Sequence, residues 1–154
     1  MTGTLRTILL ADDNAQDVEL TLAALKKNRL ANHVVVVHDG AEALDYLYRR
    51  KAFADRPADQ PALILLDLKM PKVDGIEVLR RIKGDSALKT IPVVVLTSSR
   101  EEHDLLRTYD LGVNAYVVKP VSFPDFMEAV QSLGQFWGVI NEVPLLADET
   151  KSRN

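Results

Sequence analysis

The 154-residue chain has no cysteine. Disulfides, thiolate metal ligands and a cysteine nucleophile are therefore excluded. It lacks any apolar run approaching the ~20 residues that a membrane-spanning helix needs. It also lacks the basic start and apolar stretch of a signal peptide, so a soluble cytoplasmic protein without a membrane partner is expected. No G-x-x-x-x-G-K-[ST] or G-x-G-x-x-G loop occurs, which leaves a nucleotide cradle without support. Positive charge is not in excess: the formal net charge is -3, which argues against direct nucleic-acid binding through bulk electrostatics. Repeats, low-complexity segments and a second-domain boundary are absent as well.

What the chain does have is five short apolar runs that read as strands, each followed by a helical pattern. Thr7–Ala11 ends in Asp12-Asp13, and Asn14 is placed to cap a helix carrying Val18, Leu22 and Leu25 on one face. Asp17 sits where a capping-box acid would. The run Val34–Val37, flanked by His33 and His38, reads as a second buried strand, followed by a helix from Gly40 with Ala43, Leu44 and Leu47 inward. Residues 51–61 carry two prolines and scattered charge and are expected to form an exposed loop. Leu63–Leu66 is a continuous aliphatic run that stops at Asp67 and turns at Pro71, and a helix follows from Gly75 to Gly84. Pro92–Thr97 and Asn114–Val118 complete the strands. Ser99 with Glu102 and Ser122 with Asp125 mark two further helix starts. Strand–helix alternation with short connections implies an α/β fold: a doubly wound, five-stranded parallel sheet with helices on both faces.

In such a sheet the carboxyl ends of the strands share one edge, where ligands bind. The polar residues that collect there are Asp12 and Asp13, Asp67, Thr97 and Lys119. Taken singly, each has a plain reading as a helix cap, a turn residue, a β-former or a solvated charge. Together they are chemically complementary. Clustered carboxylates repel unless a cation is present, and an all-oxygen set with open positions suits Mg²⁺. A lysine and a hydroxyl beside them would stabilise the oxygens of a phosphoryl group, with Asp67 as the nucleophile. His33, His38 and His103 read as packing or solvated groups.

These residues lie in strings that resemble the receiver domain of two-component response regulators: Ala11-Asp12-Asp13-Asn14, Leu65 to Pro71 with Asp74-Gly75, Val95 to Ser98, and Tyr116 to Pro120. The resemblance spans about residues 6–136 and divides the chain into a receiver domain at 1–137 and a tail at 138–154. It implies a flavodoxin-like strand order of 2-1-3-4-5. It further implies that Asp67 accepts a phosphoryl group from a sensor histidine kinase. Mg²⁺ would be held by Asp12, Asp13, Asp67 and the backbone carbonyl of Lys69. Thr97 and Lys119 would contact the phosphoryl oxygens, Thr97 and Tyr116 would form the conformational switch, and the Lys119–Pro120 bond would be cis.

The long loop at 51–61, the Asp-Leu-Lys-Met-Pro-Lys string and Gln135-Phe136-Trp137 are most similar to single-domain regulators paired with phytochrome-type kinases. Those often form homodimers through the helix after Ser99, the fifth strand and the last helix, with Tyr109, Phe136, Trp137, Val139 and Ile140 as candidate contacts here. Such a protein relays a signal and is not a turnover enzyme. The alternative is a Mg²⁺-dependent phosphatase or phosphotransferase acting on a small substrate, which would usually carry a second acid at position 69, where this chain has Lys.

Overall fold

The computed structural model describes residues 7–26, 34–98 and 115–132. Five strands form one sheet: β1 (Ile8–Ala11), β2 (Val34–Val37), β3 (Leu63–Asp67), β4 (Val93–Thr97) and β5 (Tyr116–Val118). All four pairings are parallel, and the order is β2-β1-β3-β4-β5. The described helices are α1 (Ala15–Lys26), α2 (Gly40–Tyr48), α3 (Gly75–Lys83) and α4 (Phe123–Ser132). The helix expected after Ser99 lies outside the described residues, as does the tail at 138–154.

Side-chain alternation along the strands divides the core into two layers. Ile8, Leu10, Leu63, Leu65, Val94, Leu96 and Val117 pack with Val18 and Leu25 of α1 and with Phe126 and Val130 of α4. Leu9, Ala11, Val37, Ile64, Leu66, Val93 and Val95 pack on the other side with Leu44 and Leu47 of α2 and Val78, Leu79 and Ile82 of α3. Burial on both faces is why β1, β3 and β4 read as unbroken aliphatic runs. β2 departs from that expectation: Val34, Val35 and Val36 are only half-buried, because β2 is an edge strand.

Helix starts follow the sequence signals. Asn14 Oδ1 accepts the Asp17 N–H (2.9 Å), Asp39 Oδ1 accepts that of Glu42 (2.7 Å), Asp74 Oδ1 accepts that of Glu77 (2.9 Å) and Ser122 Oγ accepts that of Asp125 (3.2 Å). Each satisfies one of the otherwise unpaired N–H groups of a first helical turn.

The segment expected to be an exposed loop is largely exposed, and one side chain organises it. A 3₁₀ turn at Lys51–Phe53 opens it, and Arg56 then spans it. The Arg56 guanidinium donates to the carbonyls of Tyr46 (2.6 Å), Pro57 (2.7 Å) and Asp59 (3.0 Å) and to Gln60 Oε1 (3.0 Å), and it lies 4.2 Å from the Tyr46 ring centroid. Phe53 packs edge-on against the same ring. Ala62 N–H then donates to the Thr7 carbonyl (2.8 Å), which delivers the chain into β3.

Two glycines mark close approaches of backbone to backbone. A Cβ on Gly40 would stand 1.7 Å from the Val73 carbonyl oxygen, and one on Gly75 would stand 2.2 Å from that of Asp67. The first residue of α3 is thus pressed against the end of β3, and the Gly75 N–H donates to the Leu68 carbonyl (2.9 Å). Because the obstacle at Gly75 is main chain and cannot rotate away, Gly75→Ala is expected to destabilise the fold by about 1–3 kcal/mol. The midpoint of urea unfolding measures it, and an unchanged midpoint would show that α3 docks more loosely than described.

Candidate functional site

The strand registers and the pleat decide which polar side chains can meet. Ala11 pairs with Leu66 of β3, and Asp67 pairs with Leu96 of β4, so Asp12, Asp67 and Thr97 arrive at one sheet edge. Asp67 continues the Leu63–Leu65 face, Asp12 the Ile8–Leu10 face, and Lys119 the face of Val117, all toward α1 and α4. By the same alternation Thr97 falls with Val93 and Val95 on the opposite side, where Tyr116 also packs. Asp12, Asp67 and Thr97 are buried, Asp13 and Lys69 are exposed, and Tyr116 is half-buried.

Lys119 joins the group. Its ammonium lies 3.1 Å from Asp12 Oδ2, 3.2 Å from Asp67 Oδ2 and 3.0 Å from Asp17 Oδ2. The contact to Asp17 is a well-directed hydrogen bond. The Lys119 backbone N–H donates to the Thr97 carbonyl (2.8 Å), which fastens the end of β5 to that of β4, and the Lys119–Pro120 bond is cis, as expected. Asp17 is the residue that the sequence reading did not place in the site. Its spacing fits the α1 cap, where Asn14 makes the side-chain bond, and nothing local signals a partner 102 positions away.

Oxygens of Asp12, Asp13 and Asp67 lie within 4.8 Å of one another. Asp12 Oδ1 accepts the Asn14 N–H (3.0 Å), while Asp67 Oδ1 lies 3.4 Å from the Lys69 N–H, a weak contact. Leu68 and Met70, both buried, hold exposed Lys69 between them at the pocket rim. Among the described residues, two buried polar atoms make no directed hydrogen bond: Asp12 Oδ2, which has the charge of Lys119 beside it, and Thr97 Oγ1. Unspent buried polar atoms beside clustered carboxylates match a site built to receive a hard cation and an oxygen-rich anion.

The electrostatics agree. Burial pushes the Asp67 carboxyl up to about 6; the Lys119 charge works against this and the Asp12 charge adds to it. For Lys119, burial favours the neutral amine, but the hydrogen bond to Asp17 and the charges of Asp67 and Asp12 outweigh it and raise its pKa above the ordinary lysine value.

The remaining expectations sort simply. His38 is exposed beside Glu42 Oε1 at 3.4 Å, away from the pocket residues. His33, His103, Tyr109, Phe136, Trp137, Val139 and Ile140 lie outside the described residues. Among the described residues no helix is long and apolar enough to cross a membrane.

A response regulator receiver domain model matches residues 8–131. The chain is 39% identical over 132 residues to the response regulator Rcp1 of Synechocystis, covering 86% of this chain and 88% of that protein. A crystal structure of the Mn(2+)-bound form of Rcp1 matches at 36% identity and TM-score 0.68, covering 94% of this chain and 99% of that one. The bacteriophytochrome response regulator AtBRR matches at 57% identity and TM-score 0.86, covering 95% and 99%. The phosphorylated cyanobacterial phytochrome response regulator RcpA matches at 42% identity and TM-score 0.69, covering 87% and 94%.

The raised Asp67 pKa makes a prediction about stability. An unfolded aspartate titrates near ~3.9, so between that value and about 6 the folded chain holds a proton that the unfolded chain has lost. The contribution of Asp67 to stability is therefore most favourable in acid and falls as pH rises through about 6. In metal-free protein, Asp67→Asn is expected to be more stable than wild type at pH 8 by roughly 1–3 kcal/mol, with the gap closing near pH ~4. Urea unfolding in chelator at both pH values checks it; a gap independent of pH would contradict it.

Proposed function

The chain belongs to the response regulator receiver domains, and we propose that Asp67 is its phosphoryl acceptor, charged by the phosphohistidine of a sensor histidine kinase of the phytochrome type. The observation that carries this reading is the Asp67 carboxylate itself: buried at the carboxyl end of the central strand, one oxygen 3.2 Å from an ammonium, within a cluster of acids. An Asp67 oxygen attacks phosphorus; the new O–P bond forms as the P–N bond to the donor imidazole breaks, and that electron pair leaves with the imidazole nitrogen. Lys119 is placed to follow the charge from the carboxylate onto the phosphoryl oxygens. Thr97 Oγ1, buried and unspent, has a donor for another of them.

Asp12, Asp13 and Asp67, with the Lys69 carbonyl, are the residues that would hold Mg²⁺; their all-oxygen donor set and the close approach of the three carboxylates support the fit. When bound, the cation neutralises the carboxylates and draws charge from the phosphoryl oxygens. The signal leaves the site through Thr97 and Tyr116. They share the α2–α3 side of the sheet, so a shift of Thr97 toward the phosphoryl group opens room for the Tyr116 ring to turn inward.

Similarity to AtBRR, RcpA and Rcp1 supports the phytochrome pairing, and a cytoplasmic site of action follows from a kinase partner. The small-molecule phosphatase alternative draws no support from the family match. The protein's own part in forming and losing its phosphoryl group is that of a signalling acceptor.

Acetyl phosphate with Mg²⁺ is expected to label the wild type to one equivalent with an acid-stable, base-labile phosphoryl group, and chelator or Asp67→Asn to abolish labelling. Lys119→Met should slow it by about 10²-fold or more, the scale of losing one charge-stabilising donor. Labelling that persists in Asp67→Asn would overturn the assignment.

Two finer proposals concern assembly. Residues 1–137 form the receiver unit with 138–154 as a tail, and two copies pair through the helix after Ser99, β5 and the last helix. Sedimentation should find a dimer for the full chain and a weaker one for residues 1–137, which lack Val139 and Ile140; monomers of the full chain in both phosphorylation states would refute the pairing.

A further inference from the structure

Lys119 has three donors and faces three carboxylates, and the one well-directed hydrogen bond goes to Asp17. Asp17 belongs to neither the acidic triplet nor β3. It stands on the first turn of α1, partly exposed, with its own N–H fixed by Asn14 Oδ1. An ammonium that spends a donor on Asp17 is divided among three carboxylates at 3.0–3.2 Å and is not held by Asp67 and Asp12 alone. Asp12, Asp67 and Asp17 thus share the Lys119 ammonium. A phosphoryl group adds further negative charge and needs that same ammonium.

We propose that Asp17 is a positioning residue that competes with the phosphoryl group for Lys119 and so biases this receiver toward its unphosphorylated state. The inference rests on the reading of Asp67 as phosphoryl acceptor. Asp17 is outside the acidic triplet; it acts through where it holds the lysine and through the charge it adds behind it. Removing that charge while keeping the side-chain shape leaves Lys119 with one partner fewer, and its attraction for an incoming anion rises. A residue that only supported the start of α1 would lower stability without changing anion affinity in this direction.

The test uses beryllofluoride, a stable mimic of the aspartyl phosphoryl group, titrated by calorimetry into the full chain at Mg²⁺ concentrations shown to saturate each variant. Asp17→Asn is expected to bind it about twofold to fivefold more tightly than wild type, the scale of one partly exposed charge pair. Asp17→Glu, which restores the charge, should return toward wild-type affinity. The gain should also vanish when Lys119 is replaced by Met in both backgrounds, because the coupling runs through the ammonium. If Asp17→Asn destabilises α1, Asp17→Ser provides a second charge-removing variant. Equal or weaker binding by the charge-removed variants overturns the proposal, as does a gain that survives in Lys119→Met. Wild type that takes up no beryllofluoride with saturating Mg²⁺ would instead undo the assignment of Asp67.

Discussion

The constraint on which this molecule turns is the cost of gathering carboxylates where water is scarce. Asp12 and Asp67 are buried, Asp13 lies against them, and Asp17 closes the group from α1. Among the described residues, the Lys119 ammonium is the cation paired with Asp12, Asp17 and Asp67. A charge removed from water must be paired or it neutralises itself, and Asp67 has moved part of the way toward neutrality, with a pKa near 6. The pocket is thus stable enough to persist and unsatisfied enough to bind. Its shortage of positive charge draws in a cation, and its lone lysine makes it responsive to an anion.

The sheet makes this arrangement possible at modest cost. Two packed layers bury β1, β3 and β4 on both faces, so these strands are held by aliphatic side chains along their length and can carry a polar residue at the last position. The pleat then does the sorting. It sends Asp12, Asp67 and Lys119 toward α1 and α4 and Thr97 with Tyr116 toward α2 and α3. The acidic cluster with its lysine and the Thr97–Tyr116 pair therefore lie on opposite sides of one layer of backbone, joined at the Thr97 carbonyl that accepts the Lys119 N–H.

The strands, the helix caps at Asn14 and Ser122 and the edge-clustered acids were legible in the sequence, because each depends on local chemistry or on a period that the chain itself displays. What escaped had long-range causes. Four consecutive valines in β2 look the same whether a strand is central or at an edge; only its neighbours decide. Asp17 occupies a position that a local rule explains adequately, so its tie to Lys119, 102 residues on, had no separate signal. Residues 51–61 have the composition of a free loop, and Arg56 appears there as one more surface charge until the carbonyls of Tyr46, Pro57 and Asp59 converge on it.

That convergence bears on how the chain tolerates change. Surface loops are ordinarily the places where residues are gained or lost at little cost, since closing a somewhat longer loop adds only a small entropic penalty. Here Arg56 measures the loop against fixed points: the Tyr46 ring and carbonyl behind it, and the backbone of Pro57 and Asp59 ahead. One residue inserted between Arg56 and Gln60 would break that gauge, and the slack would run directly into Ala62 and the start of β3. The length of this segment is therefore part of how β3 is aligned, and a stretch that looks expendable helps keep Asp67 in register.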